Sequence, residues 1–356
     1  MEKKLRIAVD LRPLMEPFES GVTIYTKSIL DRLLLNHPEI EWILFYQGRK
    51  RIPAIHNLYP QVRHIQKSNT FFHLSSIPLT PNLPSDYFVD QPDLLWMPDR
   101  RPFYKTSFPV VMTVHDLIPE HQPRNFSIKG RIWHKLFSLK KLLKGVNGIL
   151  TPSLSVSQSI RTKLPKEVTY EGADLAKQAV EPKNFPKKWL KEGFFLMIAP
   201  ADPRKHLDWV FSAVERFPRL NFLIAGWKEN DKRFKRQGKK GTENCFFLNH
   251  ITEEEKAWLL KNTTALLALS SEEGFDLPVL EAVTAKCPVL LSDIPVHREL
   301  YKEAEWVKNK EDFFRILYMS KQSELKVPTP RGNYSWDKAS ERVLLFFLRV
   351  LRNKNR

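Results

Sequence analysis

Short runs of aliphatic and β-branched residues alternate along this chain with segments of helical spacing. The runs lie at residues 5–9, 42–46, 94–97, 110–114, 148–151, 194–199, 221–225, 245–248, 265–268 and 289–291. Strands that alternate with helices predict parallel sheets covered by helices on both faces. The pattern is interrupted at 182–188, which is rich in Pro and Lys, and then restarts. We therefore expect two α/β domains.

The length of 356 residues is sufficient for two domains that each bury a core. We place the first domain at residues 1–183 and the second at 184–334, with 335–356 as a C-terminal segment. Two parallel-sheet domains in tandem predict a cleft between them, which is the usual place for a ligand.

Composition indicates a globular protein of a reducing compartment. Hydrophobic residues make up 42% of the chain, and no apolar run approaches the roughly 20 residues that cross a bilayer. The two cysteines, Cys245 and Cys287, are far apart in the sequence, which excludes a disulfide scaffold and a structural zinc site. The first apolar run is too short for the core of a signal peptide. We expect a cytoplasmic protein.

The net charge of +17 is partly concentrated in two segments. Residues 121–166 contain ten Lys or Arg and no acid, and apolar residues recur at helical spacing within 128–144. This pattern predicts either a helix packed on the core with a solvated basic face, or an interfacial helix over 124–144 on anionic lipid. In the second case each basic residue contributes about 1 kcal/mol. The other segment, 228–240, predicts an exposed basic loop.

Several nucleotide-dependent classes lack their sequence motifs here. Neither the dinucleotide-binding fingerprint nor the P-loop is present, and no Asp-x-Asp pair exists to bridge a metal to a nucleotide. The chain also has no zinc-finger spacing, no aromatic RNA-binding motif and no Arg-rich arm. We therefore expect no metal and no nucleic-acid partner.

Residues 271–282 follow a predicted strand, at the end where open α/β sheets bind ligands. Pro278 suits the first turn of a helix, because it lacks the N–H that would go unpaired there. The helix would then begin near Asp276 and Leu277, with free amides suited to phosphate. Glu273 lies in the loop before this helix and Glu281 lies one turn inside it. This separation suits one carboxylate near the reacting group and another that accepts hydrogen bonds from hydroxyls.

The Glu-x7-Glu spacing from Glu273 to Glu281 resembles the signature of glycosyltransferase family 4, the group 1 glycosyltransferases. Further segments resemble family motifs in the same order along nearly the whole chain, at residues 10–12, 20–25, 113–117, 153–160, 171–174, 201–208 and 334–336. The resemblance implies the GT-B fold, in which two Rossmann-like parallel-sheet domains face a central cleft. The first domain would bind the acceptor, the second would bind the nucleotide sugar, and 335–356 would pack back on the first.

The resemblance also implies a reaction. We expect a retaining hexosyltransferase that moves a mannose- or glucose-type hexose from a nucleotide-diphosphate sugar, without metal or cofactor. The acceptor would be a glycan or a polyprenyl-linked glycan of bacterial surface polysaccharide, at the inner face of the plasma membrane. The N-terminal pattern favours GDP-mannose, although nothing in the residues distinguishes it from UDP-glucose. The alternative is a catalytically idle GT-B protein that serves as a binding or scaffold subunit.

The family roles can be assigned to individual residues. Arg204 and Lys205 would bind the diphosphate, because a planar fork and a point charge both match phosphate oxygens. By resemblance, His115 would lie across the cleft near the transferred sugar, although a lone histidine is more often structural. The same resemblance places Glu273 at the donor sugar, Glu281 at the nucleotide ribose and Gly21 in a loop that approaches the diphosphate. It assigns donor binding also to Gly274, Phe275, Asp276 and Leu277.

Asp276 departs from the family pattern, which has glycine at this position. An aspartate here could cap the following helix, and it would repel phosphate if it pointed inward. If it turned outward, the amides of Asp276 and Leu277 would stay free. No carboxylate is an obvious nucleophile, so we favour front-face transfer, in which the leaving phosphate helps to deprotonate the acceptor hydroxyl.

Overall fold

The computed structural model describes residues 4–16, 20–66, 91–103, 106–198, 202–226, 243–320 and 322–354. The chain divides into two compact units. Unit 1 comprises Met1–Gly172 together with Tyr334–Arg356, and unit 2 comprises Ala173–Asn333. The segment 228–240, for which the sequence predicts a basic loop, lies outside the described residues.

Unit 1 is built on a seven-stranded parallel sheet in the order β3-β2-β1-β4-β5-β6-β7. Its strands are β1 Arg6–Asp10, β2 Glu41–Gly48, β3 Arg63–Gln66, β4 Leu94–Met97, β5 Val110–Thr113, β6 Gly148–Thr151 and β7 Lys166–Val168. The central strands are buried along their whole length, as the uninterrupted apolar runs predict for a sheet covered on both faces.

Helices cover both faces of this sheet. Their bounds are Gly21–Asn36, Pro53–Leu58, Ile118–His121, Ile128–Leu136, Leu139–Leu142, Leu154–Ser159 and Trp336–Lys354, with 3₁₀ turns at Arg12–Met15, Pro123–Asn125 and Leu143–Gly145. The C-terminal helix packs so closely that an added Cβ on Gly148 would lie 2.8 Å from the Phe346 ring. An added Cβ on Gly172 would lie 2.2 Å from the backbone nitrogen of Trp336. Glycine at these positions permits the contact.

The basic segment is not one helix. A first helix, Ile128–Leu136, ends before Phe137, and a second, Leu139–Leu142, begins after the extended Ser138. The second helix buries Leu139 and Leu142 in the core of unit 1. The first buries none of its residues, and it exposes 68% of Ile128, 63% of Ile132 and 41% of Leu136. The expectation of one core-packed helix over 128–144 is therefore wrong for its first half.

Unit 2 repeats the doubly wound pattern with a six-stranded parallel sheet in the order β10-β9-β8-β11-β12-β14, beside a two-stranded antiparallel sheet of β13 and β15. Its strands are β8 Phe195–Ile198, β9 Phe222–Ala225, β10 Cys245–Leu248, β11 Ala265–Ala268, β12 Val289–Ser292, β13 Tyr301–Lys302, β14 Glu305–Val307 and β15 Thr329–Pro330. Its helices are Trp189–Glu192, Leu207–Arg216, Glu253–Asn262, Leu277–Thr284, Pro295–Leu300 and Lys310–Met319, with a 3₁₀ turn at Pro203–Lys205.

In the described residues, each of the two parallel sheets has one point at which the strand order reverses. In unit 1 it lies between β1 and β4, and in unit 2 between β8 and β11. Loops diverge there at the carboxyl ends of the strands, which makes the reversal point the usual ligand site of an open α/β sheet. Within the described ranges, no helix is both long enough and apolar enough to cross a bilayer.

Candidate functional site

Two loops that the sequence singles out meet at the reversal point of unit 2. The 3₁₀ turn Pro203–Lys205 follows β8, and residues 269–276 connect β11 to the helix Leu277–Thr284. The backbone N–H of Ser271 donates to the carbonyl oxygen of Arg204 over 2.8 Å. The strand order therefore brings together two motifs that lie about 70 residues apart in the sequence.

Glu273 is the centre of this cluster. Its Oε1 accepts a hydrogen bond of 2.7 Å from Ser270 Oγ and lies 3.4 Å from Lys205 Nζ. Its Oε2 lies 3.6 Å from Arg204 Nη1. Three of the four residues predicted to be catalytic thus meet, since Arg204 and Lys205 both lie beside Glu273, and all three side chains are largely buried.

Arg204 connects the two loops. Its Nε and Nη2 donate to Asp202 Oδ2 over 2.9 and 2.8 Å, and its Nη1 donates to the carbonyl oxygen of Glu272 over 2.7 Å. Asp202 also accepts from the backbone N–H of Arg204. No sequence motif indicated this role of Asp202. Much of the guanidinium fork therefore already serves to hold the loops in place.

Lys205 is the second cation beside Glu273. Burial opposes its charged form, but the carboxylates of Glu273 and Asp276 raise the pKa of Lys205 above its usual value. The side chain therefore stays an ammonium ion. It lines a pocket at the ends of β8 and β11 together with Ser270, Asp276 and Pro278.

Asp276 adopts a left-handed backbone conformation, with φ 71° and ψ 67°. This conformation accounts for the glycine that the family pattern has here, since L-residues rarely adopt it. The Asp276 side chain makes no capping bond to the following helix, so the cap that the sequence allowed does not form. It is buried instead, and its Oδ2 lies 3.1 Å from His297 Nε2.

His297 completes a buried polar chain that no sequence motif indicated. Its Nδ1 lies 2.9 Å from the carbonyl oxygen of Ser292, and the residue is fully buried. Burial favours the neutral acid of Asp276, but the charge of Lys205 and the bond to His297 lower the pKa of that carboxyl below its usual value. Asp276 is therefore an anion held inside the protein, neither capping the helix nor turned out to solvent.

The helix after this loop begins at Leu277, with Pro278 in its first turn as predicted. Gly274, Phe275 and Leu277 are buried beside the cluster.

Glu281 lies one turn further along and is paired with Lys256, whose Nζ is 2.7 Å from Glu281 Oε1. Burial raises the pKa of Glu281 to about 7, against the opposing effect of Lys256.

The two remaining predicted site residues belong to unit 1. His115 follows β5, and its Nε2 lies 2.8 Å from the carbonyl oxygen of Pro98. Its Nδ1 lies 3.6 Å from Oε1 of the buried Glu171. Burial opposes protonation, but the bond to Glu171 and its charge raise the pKa of His115. Gly21 is the exposed first residue of the helix Gly21–Asn36, behind the capping Ser20.

The segment that contains the Arg204 and Glu273 loops is similar to known proteins. Residues 181–314 match the family model of Glycosyl transferases group 1. The O-antigen chain mannosyltransferase RfbU of Salmonella typhimurium is 27% identical over 205 residues, which are 56% of this chain and 57% of that protein. The O-antigen chain mannosyltransferase B of Escherichia coli is 25% identical over 269 residues, covering 66% of this chain and 68% of that protein. The match to the serotype-specific mannosyltransferase WbdA of Escherichia coli spans 33% of its length.

Solved structures share the architecture. Sucrose-phosphate synthase from Thermosynechococcus elongatus has a TM-score of 0.64 at 15% identity, covering 99% of this chain and 97% of that chain. The lipopolysaccharide outer core galactosyltransferase WaaB has a TM-score of 0.58 at 15% identity, covering 99% and 98%. The predicted fold class is confirmed: the chain has the two Rossmann-like parallel-sheet units of the GT-B class.

Proposed function

We propose that the chain is a retaining hexosyltransferase that uses a nucleotide-diphosphate sugar, and the match of residues 181–314 to the family model of Glycosyl transferases group 1 supports this proposal. The cluster of Arg204, Lys205 and Glu273 at the reversal point of unit 2 is the observation that carries this proposal. The acceptor is a glycan or a polyprenyl-linked glycan of bacterial surface polysaccharide, and the reaction takes place at the inner face of the plasma membrane.

The electrostatics of the cluster suit a departing diphosphate. Negative charge grows on the leaving group during glycosyl transfer, and a buried ammonium ion stabilises it without reorganisation. Lys205 supplies that charge, and Arg204 holds the loop that carries Lys205 against the loop of Glu273. Removing one fixed donor of this kind costs about 2.7–4 kcal/mol of barrier in comparable sites.

Glu273 acts as a hydrogen-bond acceptor for the donor sugar. Both of its oxygens are already close to cationic groups, and Ser270 donates to one of them. These contacts engage lone pairs of the carboxylate and so reduce its strength as a nucleophile. Transfer with retention then proceeds on the front face of the sugar, where the leaving phosphate helps to deprotonate the incoming hydroxyl.

Mannose is the sugar that the relatives favour. RfbU, mannosyltransferase B and WbdA are all named as mannosyltransferases. We therefore propose GDP-mannose as the donor, with UDP-glucose as the competing candidate. A thermal-shift panel of GDP, UDP, ADP and dTDP sugars identifies the nucleotide, since a ligand at 100 times its Kd stabilises the folded protein by about 2.7 kcal/mol.

An activity assay separates the enzyme from an idle scaffold. The purified chain is incubated with the donor found in the panel, and release of the nucleoside diphosphate is measured with and without a glycan acceptor. Turnover that is lost in Glu273→Ala and Lys205→Ala, but kept in the exposed controls Glu324→Ala and Lys191→Ala, supports the proposal. Donor binding without turnover in any condition favours the scaffold alternative instead.

The helix Ile128–Leu136 suits the surface of an anionic bilayer. Ile128, Ile132 and Leu136 lie four residues apart and are exposed, and Lys129, Arg131 and Lys135 are exposed on the same helix. Apolar side chains flanked by basic ones, with no acid between 121 and 166, match the chemistry of a headgroup layer. We propose that this helix brings unit 1 to the membrane that carries the acceptor.

Vesicle flotation tests the membrane helix. We expect the chain to float with vesicles that contain phosphatidylglycerol and not with pure phosphatidylcholine vesicles. The triple variant K129E/R131E/K135E should lose flotation, whereas the control K187E/K188E/K191E in unit 2 should keep it. Unchanged flotation of the first variant would rule out this helix as the lipid contact.

A further inference from the structure

One buried oxygen near the cluster has no hydrogen-bond partner among the residues that the structure describes. Glu281 Oε2 is buried and makes no hydrogen bond to any part of the chain that the structure describes. The other oxygen of the same carboxylate, Oε1, accepts from Lys256 Nζ over 2.7 Å. Buried carboxylate oxygens are normally satisfied, so the open Oε2 points to a ligand group that donates hydrogen bonds.

Lys256 controls the state of this carboxylate. It lies on the helix Glu253–Asn262, its side chain is 10% exposed, and its Nζ contacts Glu253 Oε2 over 2.8 Å as well as Glu281. Burial alone favours a neutral acid at Glu281, and the charge of Lys256 opposes this effect. Because Lys256 binds only Oε1, the second oxygen keeps both lone pairs for a donor.

We propose that Lys256 is a positioning residue for nucleotide binding: it holds Glu281, which the family resemblance already places at the ribose, as an oriented anion with Oε2 open to the ribose hydroxyls. The inference rests on the proposed use of a nucleotide-diphosphate sugar and extends it to a residue outside the Glu-x7-Glu motif. A purely structural role, in which the ion pair only connects the helices Glu253–Asn262 and Leu277–Thr284, makes a different prediction.

The distinguishing measurement is selectivity for the ribose. The nucleoside diphosphate that binds the wild-type chain, GDP or UDP, is titrated by calorimetry beside its 2′,3′-dideoxy counterpart. A hydrogen bond to a buried charged group predicts about a tenfold or larger preference for the ribose form. Lys256→Gln should lose that preference and bind the dideoxy form as the wild type does. Lys256→Arg should keep most of it, and the exposed control Lys261→Gln should keep all of it.

A double-mutant cycle provides the second measurement. Glu281→Gln alone should remove the ribose preference, and K256Q/E281Q should bind the ribose form no more weakly than E281Q does, because the two residues act on one contact. If either single variant fails to fold by circular dichroism, K256R and the pH profile below still decide the question.

The pH profile adds a readout that a structural role would not move. The ribose preference of the wild type should fall as the pH drops below about 7, where Glu281 takes up a proton. Lys256, Glu253 and Asp276 are the charged groups that act on Glu281. Lys256→Arg keeps the positive charge and should leave the fall near the same pH, whereas Lys256→Gln removes it and should move the fall to higher pH.

Failure of the proposed function can be distinguished from failure of the role of Lys256. If no nucleoside diphosphate binds the wild-type chain, the proposed function is wrong. If one binds with a ribose preference that Lys256→Gln retains in full, Lys256 is only structural and this inference is overturned.

Discussion

Replacing Asp276 with glycine has two opposing effects on the free energy of unfolding. The left-handed backbone, with φ 71°, costs an L-residue roughly 1–2 kcal/mol, which glycine would relieve. The same change removes the partner of His297 Nε2, 3.1 Å away in a fully buried site. Removing one member of a buried pair costs about 3–5 kcal/mol, because the other member is left without a partner. We therefore expect Asp276→Gly to destabilise unit 2 by about 2 kcal/mol.

The chain contains its own control for the backbone contribution. Lys286 also has a left-handed φ, of 59°, but it is exposed. Lys286→Gly relieves backbone strain without breaking a buried contact, so it should be neutral or stabilising by up to about 1 kcal/mol. The change in unfolding free energy for Asp276→Asn should lie between those for Asp276→Gly and Lys286→Gly, because the amide oxygen can still accept from His297.

Calorimetric unfolding of the full chain, with hydrogen exchange of peptides over 277–300, measures these differences and assigns them to unit 2. The same Asp276→Gly protein should bind the nucleoside diphosphate more tightly, since it lacks the carboxylate that lines the pocket beside Lys205. An Asp276→Gly protein as stable as wild type, or more stable, would show that the buried pair contributes less than the strain costs.

Two further predictions concern other parts of the chain. Gly172→Ala should destabilise unit 1 by about 1–3 kcal/mol, because its Cβ would lie 2.2 Å from the backbone nitrogen of Trp336; a denaturant midpoint equal to that of wild type would contradict this. Glu281 should make stability fall as the pH rises: burial raises its pKa from 4.5 to about 7, so the folded state binds more protons between these values. Relative to Glu281→Gln, the wild type should lose up to about 3 kcal/mol of unfolding free energy from pH 4.5 to above 7. A difference in unfolding free energy between the two proteins that does not change with pH would refute this prediction.

Much of the fold follows from local pattern. The apolar runs correspond to buried strands of both sheets, because a parallel sheet covered on both faces requires continuous apolar segments. The meeting of the Arg204 and Glu273 loops was also predictable, since both follow strands whose carboxyl ends adjoin at the reversal point. The local pattern did not predict the break in the helix at Phe137, because the helical spacing of apolar residues continues through it in the sequence.

The partners inside the site could not be read from the sequence. Lys256 and Glu281 are 25 residues apart, and Asp276 and His297 are 21 apart. Such pairs form when helices pack side by side, and no local spacing encodes that packing. The left-handed backbone at Asp276 was indicated only indirectly, by the glycine that the family pattern has there, because an aspartate equally suits a helix cap.

The loops after β8 and β11 should bind the diphosphate of the donor through Lys205. Calorimetric titration of GDP-mannose and UDP-glucose into the wild type, Lys205→Ala and the exposed control Lys191→Ala measures this contribution. We expect one donor to bind the wild type and Lys191→Ala alike, and Lys205→Ala to bind it at least about tenfold more weakly, as when a charged hydrogen bond is removed. Equal affinity for the wild type and Lys205→Ala would place the diphosphate elsewhere.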